Sequence, residues 1–144
     1  MRVATILSQK GSTVATIRGE STLADAAAEL RLRGVGALVV SSDGRSIDGI
    51  ISERDIVLRL AERGEVALTQ SVSSCMTREV RTCEPGDTCD ELMVVMTEHR
   101  MRHLPVVVDG ALSGLVSIGD IVKARVGELE AEARTLHDYI TTGR

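Results

Sequence analysis

An internal repeat is the feature of this chain that most constrains its fold. Residues 14–25 recur in outline as residues 80–91, an offset of 66, and the Gly-h-h-Ser-x-x-Asp segment at 49–55 (h, apolar) recurs at 114–120, an offset of 65. One residue has therefore been lost from the second copy. Each copy has about 60 of the 144 residues, and a unit of that size does not bury its apolar faces well alone. We therefore expect two small units that pack against each other.

Each copy has the residue pattern of a β-α-β-β-α unit. In the first copy, short β-prone runs alternate with helically spaced Leu and Ala, and the Ser-Asp-Gly-Arg segment at 42–45 suits a hairpin turn. The predicted strands are 14–17, 37–40 and 47–51. One predicted helix is capped by Ser21 or Thr22 and runs to Arg33, and another follows Ser52. We expect Ile56, Val57 and Leu60 to form the buried face of that second helix.

The second copy repeats this order, with strands at 80–83, 104–108 and 112–116, a helix at 88–98 and another from Ser117. The connecting residues 61–77 are polar and mixed, and we interpret them as linker and lead-in. Residues 118–140 are predicted to form one C-terminal helix with an apolar stripe. Such a stripe needs a partner, which is either the core of the same subunit or a dimer contact. The stripe consists of Val122, Val126, Leu129, Ala133, Leu136 and Ile140.

Composition argues against several classes of protein. The net charge is −4, the pI is near 5.4 and Tyr139 is the single aromatic residue, so a basic or stacking surface for nucleic acid is not expected. Cys75, Cys83 and Cys89 form no Cys-x-x-Cys pair, which argues against a disulfide framework. No apolar run approaches the ~20 residues of a membrane span, and residues 1–9 lack the apolar core of a secretory signal. We expect a cytoplasmic protein.

Two Ser-x-x-Asp segments, Ser52 with Asp55 and Ser117 with Asp120, are the first site candidates. Before an apolar helix this spacing is typical of a capping box. An aspartate can also accept both hydroxyls of a ribose, and a serine hydroxyl with free N–H groups at a helix start suits a phosphate. On the residues alone, capping is the favoured interpretation.

A phosphate would also need basic groups, because carboxylates repel it. For any single basic residue, a solvated surface position or a half-buried imidazole is the simpler interpretation, but a phosphate needs only two or three. The candidates are Lys10, Arg54, Arg100, Arg102 and His103.

The duplicated unit, together with Arg-His-Leu-Pro-Val at 102–106, resembles a tandem pair of cystathionine-β-synthase-type (CBS) domains, also called a Bateman module. The resemblance covers residues 3–126 and implies an α/β (α+β) fold of two CBS repeats around a pseudo-twofold axis. The implied divisions are repeats at 1–66 and 67–126 and a helical tail at 127–144. Lys10-Gly11 and the run 117–125 are further similar to bacterial stand-alone pairs associated with AMP and NAD(H).

The resemblance also implies a function. Such modules bind adenine nucleotides in two clefts between the copies, and stand-alone pairs dimerise into a flat disc. We expect a regulatory sensor that binds AMP, or ATP or NAD(H), without transforming it, and that signals to an unknown protein by conformational or oligomeric change. Under the resemblance, Asp55 and Asp120 bind ribose. The adenine slot carries over to Thr16, Ile17, Ala37, Leu38, Val39, Thr82, Cys83, His103, Leu104 and Pro105.

The two copies differ at the basic residues. Gly-Val-Gly at 34–36 replaces the Arg-Met-Arg of 100–102. The first copy therefore lacks the basic pair, and we expect the two clefts to differ in affinity or in ligand.

Three other interpretations stay open. An enzyme would need Cys83 or Cys89 as a nucleophile with a lowered pKa, and the three histidines have no triad spacing. A metal sensor would need the cysteines to converge with His99 and His103, in a spacing unlike standard zinc sites. An interaction module would leave the clefts empty and use its C-terminal helix. We expect neither catalysis nor a metal.

Overall fold

A computed structural model describes residues 1–142, so positions 143 and 144 of the predicted tail lie outside the described residues. The chain forms a mixed α/β fold of two similar halves. The helices are α1 (Val3–Lys10), α2 (Leu23–Arg33), α3 (Glu53–Arg63), α4 (Val72–Cys75), α5 (Cys89–His99) and α6 (Ile118–Thr142), with a 3₁₀ helix at Gly64–Thr69. The strands are β1 (Thr16–Ile17), β2 (Ala37–Val40), β3 (Gly49–Ser52), β4 (His103–Val108) and β5 (Ala111–Ser117). Within the described residues, no helix combines the length and apolarity that a membrane crossing requires.

Helix α2 begins and ends at the predicted residues, and α3 begins at the predicted Ser52. Thr22 and Asp25 form a reciprocal capping box at the start of α2, which ends at Gly34 with a φ of 63°. Ser52 and Asp55 form the same box at the start of α3. Each such cap stabilises its helix by roughly 1 kcal/mol. The capping interpretation of Ser-x-x-Asp is therefore confirmed here.

The two sheets are related but unequal. In the first half, β1 pairs in parallel with β2, and β2 pairs antiparallel with β3. In the second half, β4 and β5 form an antiparallel pair. The prediction of a strand at 80–83 was wrong in extent, because only Cys83 joins the sheet, through a parallel bridge to Val106. The preceding Arg81 and Thr82 are exposed, so no apolar contact holds them against the sheet.

Strand β2 is buried on both faces. Leu38 and Val40 belong to the core formed with α2 and α3. Ala37 and Val39 alternate with them, point to the opposite face, and are also fully buried. A strand buried on both faces needs cover on both. The helices cover one face, and the full burial of Ala37 and Val39 means that the second face is covered too, as the predicted packing of the two copies requires.

The connecting segment 61–77, predicted as linker and lead-in, contains more regular structure than its polar, mixed pattern indicated. It contains the end of α3, the 3₁₀ helix and α4, and its Ala67 and Val72 are fully buried in the first core. Two small apolar residues among polar ones carry no periodic signal, which is why the pattern missed them. Helix α1, also not predicted, places Val3 and Ile6 in the second core.

These two lead-in helices, α1 and α4, are exchanged between the halves. Helix α1 precedes the first repeat but packs on the second core, and α4 precedes the second repeat but packs on the first. Their anchoring bonds match: Val3 N–H donates to the carbonyl of Asp87 (2.9 Å), and Val72 N–H donates to that of Ser21 (2.7 Å). The two acceptors are 66 residues apart, so the exchange follows the pseudosymmetry of the repeats.

Two matched glycines allow the lead-in segments to approach the sheets closely. A Cβ added to Gly49 would lie 2.7 Å from the carbonyl oxygen of Thr77, and one added to Gly114 would lie 2.9 Å from a methyl of Leu7. Any larger residue would push the lead-in segment away from its sheet.

Several apolar side chains that we expected to be buried are exposed. Val57 is 61% exposed, whereas Ile56 is buried and Leu60 half-buried. Helix α3 contacts its core along a narrow line that includes Ile56. Val57 is the next residue of the helix, so its side chain is rotated by about 100° from that line and faces solvent. On α6, the stripe points outward and the described helix buries only Ile121 and Ala124. The interpretation of the stripe as packed on its own subunit was therefore wrong.

Candidate functional site

The candidate site is built around a cation from α1. The Lys10 ammonium lies 2.7 Å from Asp120 Oδ2, in the first turn of α6, and 3.0 Å from the carbonyl oxygen of Leu115 on β5. The exchange of α1 onto the second half is what brings Lys10 to this position. A single ammonium thus joins the end of a strand to the start of the helix that follows it.

Asp120 also caps α6. The N–H of Ser117 donates to Asp120 Oδ2 (2.9 Å), and the N–H of Asp120 donates to Ser117 Oγ (3.1 Å). The bonds to the carboxylate all converge on Oδ2, and within residues 1–142 no hydrogen bond reaches Oδ1. Capping and ligand binding are therefore compatible at this residue, because Oδ1 is left as a strong acceptor.

His103 of the second half lies close to residues of the first half beside this ion pair. A Cβ added to Gly36 of the first half would lie 3.4 Å from His103 Cε1 and 3.4 Å from Glu53 Oε1. His103 pairs with Ser117 across β4 and β5, so it stands beside the cap of α6. Sequence reasoning missed Gly36 and Glu53 as site residues. The sequence signal that could have identified them is the glycine at position 36, which leaves open space where the second copy has Arg102.

Charge and burial set the protonation of these groups. Burial would raise the pKa of the Asp120 carboxyl, but the bonds from Lys10 and the Ser117 N–H lower it below its ordinary 3.8. Burial, assisted by Lys10, lowers the pKa of His103 below 6.5, although Asp120 and Glu53 oppose the shift. At neutral pH the site therefore holds an ionised carboxylate and a largely neutral imidazole. The cations that act on His103 are the side chains of Lys10 and Arg102.

Among the described residues, no such cation lies at the equivalent position in the first half. There, the carbonyl of Ile50 accepts from the backbone N–H of Thr77 (2.8 Å), in the place where Leu115 accepts from Lys10. Asp55 Oδ2 accepts only from the N–H and hydroxyl of Ser52, at 2.9 and 3.0 Å. The two Ser-x-x-Asp segments thus form the same kind of helix cap, but only Asp120 has an ammonium group bonded to its carboxylate among the described residues.

The other predicted site residues are dispersed. Thr16 is half-buried, Thr82 is exposed, and the side chains of Arg54 and Arg100 extend from the surface without a hydrogen bond or ion pair to any other described residue. Arg102 is exposed beside His103, and its carbonyl accepts from the N–H of Ile118 (2.8 Å) at the start of α6. The remaining predicted positions are buried and can offer a ligand little beyond backbone groups: Ile17, Ala37, Leu38, Val39, Cys83, Leu104 and Pro105.

The cysteines do not form a reactive or metal-binding group. Burial raises the pKa of Cys83 to about 12, and burial also raises that of Cys89. Both thiols are therefore protonated at neutral pH and poor nucleophiles. Among the described residues, no three His, Cys, Asp or Glu side chains are placed to hold a metal ion. The cysteines, His99 and His103 therefore do not converge.

The fold is a tandem-repeat α/β module with a cluster of polar side chains where its halves meet. The CBS domain family matches residues 11–62 and 72–127. The chain belongs to this family and is a CBS pair, a class of regulatory module.

Known relatives agree with this assignment. A mitochondrial CBS domain-containing protein from Arabidopsis thaliana is 37% identical over 128 residues, which is 86% of this chain but 62% of that protein's length. The chain therefore spans less than two thirds of that relative. A CBS-domain containing protein from Agrobacterium tumefaciens has a structure with a TM-score of 0.84 and 42% identity, covering 86% of this chain and 92% of its own. A CBS domain protein from Pyrobaculum aerophilum, solved in complex with AMP, has a TM-score of 0.74 and 26% identity, covering 83% and 89%.

Proposed function

We propose that this CBS pair is a sensor that binds an adenine nucleotide, AMP in preference to ATP or NAD(H), beside Asp120. The observation that carries the proposal is the convergence of Lys10, His103 and Asp120 of one site with Gly36 and Glu53 of the other half. The AMP complex of the Pyrobaculum protein supports the choice of ligand class.

The chemistry of the site fits a ribose phosphate. Asp120 Oδ1 can accept from the ribose hydroxyls, which is the usual role of an acidic residue beside a nucleotide ribose. The phosphate would lie toward Lys10 and Arg102, with Arg100 near the entrance. Charge-assisted bonds of this kind are roughly twice as strong as neutral ones. The half-buried His103 can then bond the ligand as a neutral donor or acceptor.

The two clefts are proposed to be unequal. Asp55 has the same free acceptor geometry as Asp120 but no lysine beside it. The charge of a phosphate would be less well compensated there. We therefore place the tighter site at Asp120 and a weaker one, or a different ligand, at Asp55.

Signalling is proposed to occur by population shift. A ligand between Asp120 of one half and Gly36 of the other would favour one relative orientation of the halves. It can shift that equilibrium only by its differential affinity for the two arrangements. No step in this scheme transforms the nucleotide, and the protonated thiols offer no nucleophile, so we propose a non-catalytic role.

Dimerisation through the outer helices completes the proposal. A groove of about 580 Å³ lies between α2 and α3, lined on its apolar side by Leu30, Val35 and Val57. Met93 and Val94 expose apolar surface on α5. Apolar helix faces of this kind are typical of association surfaces, and they suit the disc-like homodimer of stand-alone pairs.

Calorimetric titration of the full chain with AMP, ADP, ATP, NAD⁺ and NADH tests the proposal. We expect saturable binding of AMP, with one tight site per chain and a second that is at least about tenfold weaker. Folded, nucleotide-free protein that binds none of the five would overturn the sensor role and leave a ligand-free interaction module as the better account.

A further inference from the structure

The C-terminal helix carries an apolar seam that no other part of residues 1–142 covers. Five of its six members, from Val122 to Ile140, are between 47% and 68% exposed, and the sixth, Ala133, is exposed as well. Every described residue from 129 to 142 is exposed. The second half of α6 therefore extends beyond the body of the protein as an uncovered helix.

The seam has the spacing of a coiled coil. Its six positions, 122, 126, 129, 133, 136 and 140, are separated by four, three, four, three and four residues. This is an unbroken a/d heptad pattern over roughly 27 Å at the helical rise of about 1.5 Å per residue. The a positions are Val126, Ala133 and Ile140. The d positions are Val122, Leu129 and Leu136. β-Branched residues at a with Leu at d favour two parallel strands.

The flanking charges favour the same arrangement. In a parallel pair, Arg125 at position g would face Glu130 at position e of the second copy, and Glu132 would face its His137. In an antiparallel pair that overlaps the whole seam, Glu130 would face Glu130 of the second copy and Glu132 would face its Glu132. Such e and g contacts decide partner and orientation in coiled coils, and like charges in register are destabilising.

We infer that α6 forms a parallel two-stranded coiled coil with α6 of a second copy of this chain. This contact would add a second interface to the proposed disc-like dimer. It would also fix the relative orientation of the two protomers, because the C-terminal helices must lie side by side. Because α6 begins at Ile118 and carries Asp120 in its first turn, the seam and the site belong to one continuous helix. The inference does not depend on nucleotide binding.

Disulfide trapping in the full chain tests the orientation. The half-exposed Cys75 is first replaced by serine, and Ile140→Cys or, as control, Ala131→Cys on the outer face of α6 is then introduced. We expect Ile140→Cys to form covalent dimers under mild oxidation and Ala131→Cys to form few. Equal trapping of the two variants would overturn the inference. So would trapping that occurs only in a mixture of Ile140→Cys and Val122→Cys chains, which indicates antiparallel helices.

Sedimentation of uncrosslinked protein tests the contribution of the seam to the dimer. Leu129→Asp with Leu136→Asp removes two d positions that are 49% and 60% exposed in the protomer, so the fold should persist, as circular dichroism can verify. We expect the dimer dissociation constant to rise at least about tenfold, whereas the matched Ala131→Asp with Thr135→Asp control leaves it unchanged. Equal dissociation of the two double variants would contradict the coiled coil.

Discussion

Lys10 and Asp120 lie 110 residues apart in the chain, yet the lysine ammonium is 2.7 Å from the aspartate Oδ2. The contact exists because α1 packs on the second half rather than on the repeat that it precedes. Within the described residues, the carboxylate of Asp55 has no equivalent cation. This pair is therefore one electrostatic difference between the two Ser-x-x-Asp segments.

Replacing the lysine should separate phosphate binding from ribose binding. In Lys10→Met, we expect the affinity for AMP to fall about tenfold, since a charge-assisted bond to phosphate is lost. The affinity for adenosine, which has no phosphate, should change much less. Calorimetry with both ligands measures the difference. Equal losses for AMP and adenosine would place Lys10 away from the phosphate.

Replacing the aspartate should remove the ribose acceptor without disturbing the cap. In Asp120→Asn, the amide oxygen can still accept from the Ser117 N–H, so the melting temperature should stay close to that of the native protein. We expect AMP affinity to fall at least about tenfold, the usual cost of losing a charged acceptor.

Asp25→Asn is the matched control for this variant, because Thr22 and Asp25 form the same capping box at α2. Its AMP affinity should equal that of the native protein. If Asp120→Asn binds AMP as well as Asp25→Asn does, the ribose assignment fails.

The depressed pKa of His103 makes stability depend on pH. Its pKa in the folded protein lies below the 6.5 of an ordinary histidine, because of burial and the Lys10 ammonium. The unfolded chain therefore binds the proton more readily, and the contribution of His103 is present above about pH 6.5 and lost as pH falls through the folded pKa. The charged groups around the ring are Lys10, Arg102, Asp120 and Glu53.

Urea unfolding at about pH 7.5 and about pH 5.5 measures this effect. We expect the free energy of unfolding to decrease toward the lower pH, and the decrease to be smaller in His103→Gln. His99→Gln, which removes an exposed ring at the end of α5, is the matched control. An unchanged slope in His103→Gln would assign the pH dependence to other groups.

The two lead-in contacts predict a ranked pair of alanine substitutions. A Cβ at Gly49 would meet a backbone carbonyl, that of Thr77, at 2.7 Å, whereas one at Gly114 would meet only the flexible end of Leu7 at 2.9 Å. We therefore expect Gly49→Ala to cost about 3 kcal/mol of unfolding free energy and Gly114→Ala about 1 kcal/mol. Gly86→Ala, with nothing within 4 Å, is the neutral control. The reverse order in chemical denaturation would mean that α4 is held more loosely than α1.

Much of this protein could be predicted from local sequence. The offset repeat identified two copies of a β-α-β-β-α unit and the CBS family, because a duplicated residue pattern persists without knowledge of contacts. The Thr22 and Ser52 caps were readable for the same reason, since a cap involves residues three positions apart. The seam on α6 was visible as spacing alone.

Tertiary structure decided the rest. Which half each lead-in helix joins depends on the surfaces that it meets, and neither Val3 nor Val72 carries a local signal for that choice. The position of Lys10 beside Asp120, the approach of Gly36 and Glu53 to His103, and the exposure of Val57 follow from that packing. Local pattern therefore determined most elements of each repeat and their order. The lead-in helices and the charge of the site were decided by long-range contacts between the halves.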